Sequence, residues 1–402
     1  MTKERNHLAA NAITVFLAAL ALISVRFYER LFHGFLWAED GKIFLKQASE
    51  LGIHSFERTY EGYLHLVPRL IAYATTHTMG ISQALYVFPW LCAIATALTC
   101  TLIFLIASKR LQVPLAAVAG FAPLLVPSSG EVFINATNLQ WIFAPLLFLL
   151  LVEPLVIGED DQASWTTKAK WMLAFLLSAT GPFAVIYVPF VALLSLANIG
   201  AAKRNWRLYA AGGLAVALQG IAMLHHKMHG KSASLMNLSH DYARKFLEEF
   251  IGTIFLPHSI LSDAGTNKQW LCAAVALLFA LAALLTRGRR MIATMAAISA
   301  TIWISSVIKI NDDSVVMSAT DNTSRYFFIP AIFMMWALLL GMQTTRPSLR
   351  ALPTVLLTLM VAAWAFRYQP DQYPPPSATA EAGVTHLRIS PEHWDVDIRT
   401  QH

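Results

Sequence analysis

The sequence predicts an all-α, polytopic membrane protein. Of its 402 residues 56% are hydrophobic and 13% are charged, the mean hydropathy is +0.52, and apolar runs near the bilayer-spanning length of about 20 residues recur along the chain. So little charge does not suit a water-soluble globule.

The first run, "LAANAITVFLAALALISVRF", follows the polar start "MTKERNH" and lacks a small-residue cleavage site, so a retained helix is expected over 9–27. Further spans are expected over 83–107, 112–127, 138–157, 171–199, 208–224, 270–286, 291–309, 326–342 and 351–366. The 171–199 run is interrupted at "SATGPF", where Gly181 and Pro182 break a helix, and reads as two short passes. The tally is about eleven spans, within a range of about 10 to 12. Basic residues come in small groups between these runs, as the positive-inside rule expects of cytoplasmic loops. Lys3 with Arg5, Lys109 with Arg110, Lys168 with Lys170, Lys203 with Arg204 and Arg207, Arg287 with Arg289 and Arg290, and Arg346 with Arg350 are then inside. This puts the N terminus in and the C terminus out. The net charge of +6 is spread over these groups and does not point to nucleic acid. Cys92, Cys100 and Cys272 lie inside apolar runs and read as buried small hydrophobes.

Residues 1–366 therefore form a transmembrane domain and 367–402 a short extracytoplasmic tail. Three outside segments, 28–82, 225–269 and 310–325, are too long or too polar for simple turns. In the first, "GKIFLKQASELG" spaces Ile43, Phe44, Ala48 and Leu51 as the apolar face of a helix lying in the membrane interface. "HDYARKFLEEFIGTIFLPH" repeats the amphipathic pattern in the second. In the tail, Trp394, Val396 and Ile398 alternate with acids, and "VTHLRI" can pair with them as a hairpin.

The segment "FLWAEDGKIFLKQA" sets Glu39 beside Asp40 just past the first apolar run. Neighbours on a helix diverge by about 100 degrees, so the two carboxylates do not share a proton; one can face a cavity while the other braces it. Asp40 can also be read as the N-cap of the interfacial helix. The same loop supplies "YEGYLHLVPRLIAY", with Tyr63, His65 and Arg69 at the membrane boundary. A desolvated Arg69 needs an anion: either Glu39, Glu57 or Glu61 as a structural partner, or a phosphate held by its planar fork of donors. "SSGEVFINATNLQW" offers Glu131, Asn135, Asn138, Gln140 and Trp141 at another outside mouth, where amides and an indole suit sugar hydroxyls and ring faces or, equally, capping and anchoring. "DNTSRYFFIP" sets Arg325 and Tyr326 where a loop enters a helix, for interfacial anchoring or a lipid phosphate. His225, His226 and His229 form a local group without metal-ligand spacing. The one cofactor in view is a divalent cation, Mg²⁺ or Mn²⁺, held by the adjacent acids with substrate phosphates. Neither a P-loop nor a dinucleotide fingerprint is present, so a nucleotide-bound donor is not indicated.

A first helix, an outside loop with an acidic pair, an interfacial helix and then many spans together resemble the GT-C superfamily of integral membrane glycosyltransferases. "WAEDGKIFLKQASELG", "GYLHLVPRLIA", "GEVFINATNLQW", "SATGPF" and "SRYFF" are similar to a group of bacterial membrane proteins within it. The resemblance implies a GT-C-like bundle in the bacterial cytoplasmic membrane. It implies transfer of a sugar, on the outer side, from a polyprenyl-phosphate-type lipid to a glycan, lipid or protein acceptor. It carries the catalytic acid onto Asp40, or onto Glu39, and the lipid-phosphate role onto Arg69 and Arg325. A lipid phosphate leaves readily, so one carboxylate base acting on the acceptor hydroxyl suffices. Two other classes stay open: a transporter or flippase, with Gly181 and Pro182 lining a path, and a noncatalytic assembly protein, in which Glu39, Asp40 and Arg69 merely pair.

Overall fold

The computed structural model describes residues 2–127, 130–157, 164–227, 246–256, 260, 267–284, 286, 288–309, 323–343, 347–367, 376–381, 384–391 and 394–399. Each apolar run of the sequence carries a helix. Six of the described helices are long and apolar enough to cross a membrane: His7–Arg26, Ile81–Ala107, Leu139–Val156, Trp206–His226, Arg325–Met342 and Ser348–Ala365. Val113–Leu125, Phe183–Ala197 and Lys268–Leu284 are apolar but shorter. These features fit a multi-pass membrane protein.

The chain divides into two compact units, one of Met1–Val15, Cys100–Glu131 and Ser232–Gln369, the other of Phe16–Thr99, Val132–Lys231 and Pro370–His402. In the first, Arg325–Met342 is the central helix, buried at every position from Tyr326 to Leu339. Its apolar residues run all the way round, as burial on all sides requires. Around it pack Val113–Leu125, Lys268–Leu284, Arg289–Lys309 and Ala351–Arg367. The indole N–H of Trp336 donates to the Ala119 carbonyl at 3.1 Å. Of the amphipathic stretch in the second outside segment, Phe246–Gly252 is π-helical and Thr253–Phe255 α-helical. Phe250, Ile251, Ile254 and Phe255 of that stretch are buried. Residues 228–245, 257–259 and 310–322, with His229, lie outside the described residues.

In the other unit, Leu139–Ile157 packs against Ser164–Ser178 and Phe183–Ala197, and Trp206–Lys227 covers both of the latter. The predicted break falls between Ser178 and Phe183. Gly181 adopts φ +91°, and a Cβ there would come within 2.3 Å of Gln140 Oε1, so glycine is required twice over. The backbone groups freed at the break are received by protein. The Gly181 amide donates to Leu64 O at 2.9 Å and the Leu66 amide to Ala179 O at 3.2 Å. Gln219, fully buried on Trp206–Lys227, completes the junction: its Oε1 accepts from the Leu64 amide at 2.9 Å and its Nε2 donates to Gly181 O at 2.9 Å. Gln219→Leu orphans both of those groups at about 1–3 kcal/mol each. Equilibrium unfolding in detergent should show a loss of about 2–6 kcal/mol; unchanged stability would mean that the junction is held elsewhere.

The tail forms a three-stranded antiparallel sheet, β1 Ser377–Glu381, β2 Val384–Ile389 and β3 Trp394–Arg399, in the order β1-β2-β3. The predicted hairpin is β2 with β3, in the register Leu387↔Val396 and Thr385↔Ile398. Leu387, Ile389, Val396 and Ile398 supply its buried face. That face closes on the acidic loop. Ser390 N donates to Leu36 O and Ser49 Oγ to Arg399 O, both at 2.9 Å. A Cβ on Gly41 would meet Ile389 at 2.9 Å.

The segment expected to lie on the membrane is π-helical over Asp40–Leu45 and α-helical over Lys46–Leu51. Phe44 and Ala48 are each 1% exposed. Leu66–Thr78 and β3 cover this segment. The amphipathic pattern falls on a helical segment, and of its apolar face Phe44 and Ala48 are covered by protein while Ile43 and Leu51 are half-buried. Composition alone cannot distinguish cover by protein from cover by lipid.

Candidate functional site

The two neighbouring acids have different surroundings. Asp40 is 1% exposed. Its Oδ2 accepts from the Ala136 amide at 2.8 Å. Its Oδ1 accepts from the Thr137 amide at 2.8 Å and the Thr137 hydroxyl at 2.6 Å. The N-cap reading is corrected here: Asp40 opens the π-helical turn from within, and its carboxylate holds the 136–137 backbone, almost a hundred residues away in sequence. The loop so held contains Ile134 at φ +62°, a conformation costly for a β-branched residue. Asn135 also works within this loop, accepting from the Asn138 amide at 2.8 Å and donating to Phe133 O at 3.1 Å. Trp141 packs edge-on against Phe183 with ring centroids 4.7 Å apart and is 8% exposed, so it offers no open ring face.

Glu39 is half-buried. Its Oε1 accepts from the Tyr60 hydroxyl at 3.3 Å, while its Oε2 is buried without a donor among the described residues. The residues predicted from "YEGYLHLVPRLIAY" gather around the same tyrosine. Tyr60 and Tyr63 exchange backbone hydrogen bonds across a tight turn whose central residues, Glu61 and Gly62, have φ +50° and +78°. His65 is 1% exposed and sets its ring 5.4 Å from Phe44, 5.7 Å from Tyr60 and 6.2 Å from Tyr63. Arg69, 2% exposed, lies with its guanidinium 5.3 Å from the Phe44 ring. Glu39, Tyr63, His65 and Arg69 thus meet around Phe44 and Tyr60, two aromatic residues that sequence reasoning did not select. Phe44 was read only as part of the apolar face of a helix, and Tyr60 only as part of the segment that carries Tyr63, His65 and Arg69.

Arg69 has no carboxylate partner among the described residues. Its Nη1 donates to Gln47 Oε1 at 2.9 Å, and its Nε and Nη2 are buried with no acceptor. Glu57, one of the three acids proposed as its mate, pairs with His54 at 3.0 Å. Burial, with Arg58 nearby as the lesser cause, pulls the Arg69 guanidinium down to about 10, so it stays charged at neutral pH. Arg325 differs. It lies in the first unit, ion-paired with Glu131, with its guanidinium 5.1 Å from the Tyr326 ring. Its positive charge is already answered.

Burial pushes the Asp40 carboxyl from its ordinary 3.8 up to about 7, with the charge on Glu39 adding to the rise, against the lowering effect of the Thr137 hydroxyl and the two amides. The folded-state value lies above the unfolded one. The stability this group contributes is therefore complete below about pH 4 and is lost as pH climbs through about 7. Wild-type stability should fall across that window by a component that Asp40→Asn lacks. The carboxyl resonance of Asp40 should titrate near 7 and move higher in Thr137→Val; a midpoint near 4 would contradict the buried setting.

As a divalent-cation site the acid pair fits poorly. Both oxygens of Asp40 are already engaged, so the pair presents one open carboxylate oxygen, that of Glu39. Among the described residues no group of three or more His, Cys, Asp or Glu side chains converges as metal ligands; His225 and His226 are exposed at the end of Trp206–Lys227. No protein-family model and no curated protein matches this chain.

Proposed function

We propose that the protein is a GT-C-type membrane glycosyltransferase that moves a sugar from a polyprenyl-phosphate-type lipid to a glycan, lipid or protein acceptor. In this reading about eleven helices span a bacterial cytoplasmic membrane, with the N terminus cytoplasmic and the acidic loop and tail outside. The observation that carries it is that one aromatic cluster holds both a buried guanidinium with two N–H groups and a carboxylate with one oxygen that meet no partner among the described residues. A phosphate answers Arg69, and a hydroxyl proton answers Glu39.

The acid pair then divides its work. Asp40 is the brace that fixes the 136–137 backbone, and Glu39 is the base that takes the acceptor hydroxyl proton as its oxygen attacks the anomeric carbon. The carbon–oxygen bond to the phosphate breaks, and the lipid phosphate leaves with the electron pair. Arg69 stabilises that departing charge. Gln47 orients the guanidinium, and Phe44, Tyr60 and His65 wall the charges from water. The glycosidic product keeps the acceptor oxygen, and Glu39 keeps the proton until solvent removes it. The test is release of polyprenyl phosphate from a polyprenyl-phosphoryl sugar by the reconstituted protein, dependent on an acceptor and on Glu39. Arg69 weighs against the assembly-protein alternative, since that reading requires an ion pair with a carboxylate and Arg69 makes none among the described residues.

A further inference from the structure

Gln140 stands in the first turn of Leu139–Ile157. Its Nε2 donates to Thr137 O at 3.3 Å. That carbonyl fixes the amide orientation, because an acceptor on this side requires the NH₂ group there and turns the oxygen the other way. Oε1 is buried and meets no donor among the described residues. It packs against Gly181, in the space where a Cβ would come within 2.3 Å of it. Thr137, which Gln140 holds by its carbonyl, is also the residue whose amide and hydroxyl Asp40 holds. Gln140 is therefore tied to the same clamp that Glu39 adjoins.

A buried amide oxygen with no donor has lost its hydration without compensation, and a donor from a ligand restores the missing bond. The ligand group must bring a hydrogen. An ionised phosphate diester has none to give, and a polyprenyl chain has none that is polar; the hydroxyls of a sugar have them. We infer that Gln140 accepts a hydrogen bond from a hydroxyl of the transferred sugar and helps to select it, an inference that rests on the donor being a lipid-phosphate sugar. The amides the sequence offered for this purpose divide accordingly. Asn135 is consumed within its own loop, while Gln140 keeps an acceptor open.

The test uses the full chain in lipid nanodiscs and two kinds of probe: bare polyprenyl phosphate, and polyprenyl phosphate carrying glucose, galactose, mannose or N-acetylglucosamine. Gln140→Met keeps the length and removes the acceptor. It should weaken the tightest sugar-bearing lipid by about 5- to 10-fold, the scale of one hydrogen bond, and leave the bare lipid within about twofold. With wild-type protein, removing the sugar hydroxyls one at a time should give the same loss at one position, which keeps the test open should the variant fail to fold. Equal loss for both kinds of lipid, loss for neither, no gain in affinity from any of the sugars, or no sensitive hydroxyl would overturn the inference. Arg69→Gln is the separate control. It should weaken both kinds of lipid, and if it weakens neither, the phosphate reading itself fails whatever Gln140 does.

Discussion

Replacing Arg69 by methionine should yield a protein that is more resistant to unfolding and binds its lipid donor about a hundredfold or more weakly. Among the described residues two buried N–H groups of Arg69 meet no acceptor, and burial disfavours its charge. An apolar side chain of similar length removes a buried, half-answered cation, a change that is often neutral or stabilising by about 1–2 kcal/mol even after the contact with Phe44 is weakened. Donor binding moves in the opposite direction. Two charge-assisted hydrogen bonds to phosphate are lost at about 1.5–3 kcal/mol each, which gives the hundredfold figure or more. A structural Arg69 predicts the reverse pattern, since breaking a buried ion pair costs about 3–5 kcal/mol. Thermal unfolding without lipid, and polyprenyl phosphate binding on the same preparation, separate the two. A marked drop in stability with unchanged lipid binding would return Arg69 to a structural role.

Much of the fold was legible because helices and strands announce themselves by period. The apolar runs became helices, the break at Gly181 and Pro182 followed from two residues unsuited to a helix, and β2 with β3 followed from alternation. The sequence "SATAE" of β1 gave no such signal, because its strand is largely exposed and has no apolar face to alternate. The amphipathic helix after Asp40 was legible as a pattern but not as a packing partner, since the strands that cover it lie more than three hundred residues later.

The site was legible in a similar, partial way. Glu39, Tyr63, His65 and Arg69 fall in one loop and converge as local sequence suggested. The partners of Asp40 were hidden, because two of the three are backbone amides, which every residue except proline carries, and the third, the Thr137 hydroxyl, lies 97 residues away. Glu131 and Arg325 were both selected, but their pairing joins positions separated by 194 residues. Gln140 was noted among several amides, and only its buried oxygen, without a donor among the described residues, singles it out.

The division of labour between the two acids makes the second large prediction. Asp40→Asn replaces one acceptor oxygen with a donor that must face either the Ala136 amide or the Thr137 amide and hydroxyl. Donor then meets donor, and the fold should lose about 1–3 kcal/mol. A simple helix cap would instead tolerate asparagine. Transfer by Asp40→Asn should fall with the folded fraction, and the molecules that remain folded should keep most of their turnover. Glu39→Gln keeps the size of the side chain and its acceptor for Tyr60 but removes the basicity.

The most direct measurement is single-turnover transfer per folded molecule, with reconstituted Glu39→Gln compared with wild type on one polyprenyl-phosphoryl sugar and one acceptor. The account predicts normal folding, normal donor binding and a rate lower by about 10²–10⁴, the range of general-base catalysis. Near-wild-type turnover by Glu39→Gln, above all if folded Asp40→Asn is the variant that loses it, would contradict the account and move the base to Asp40.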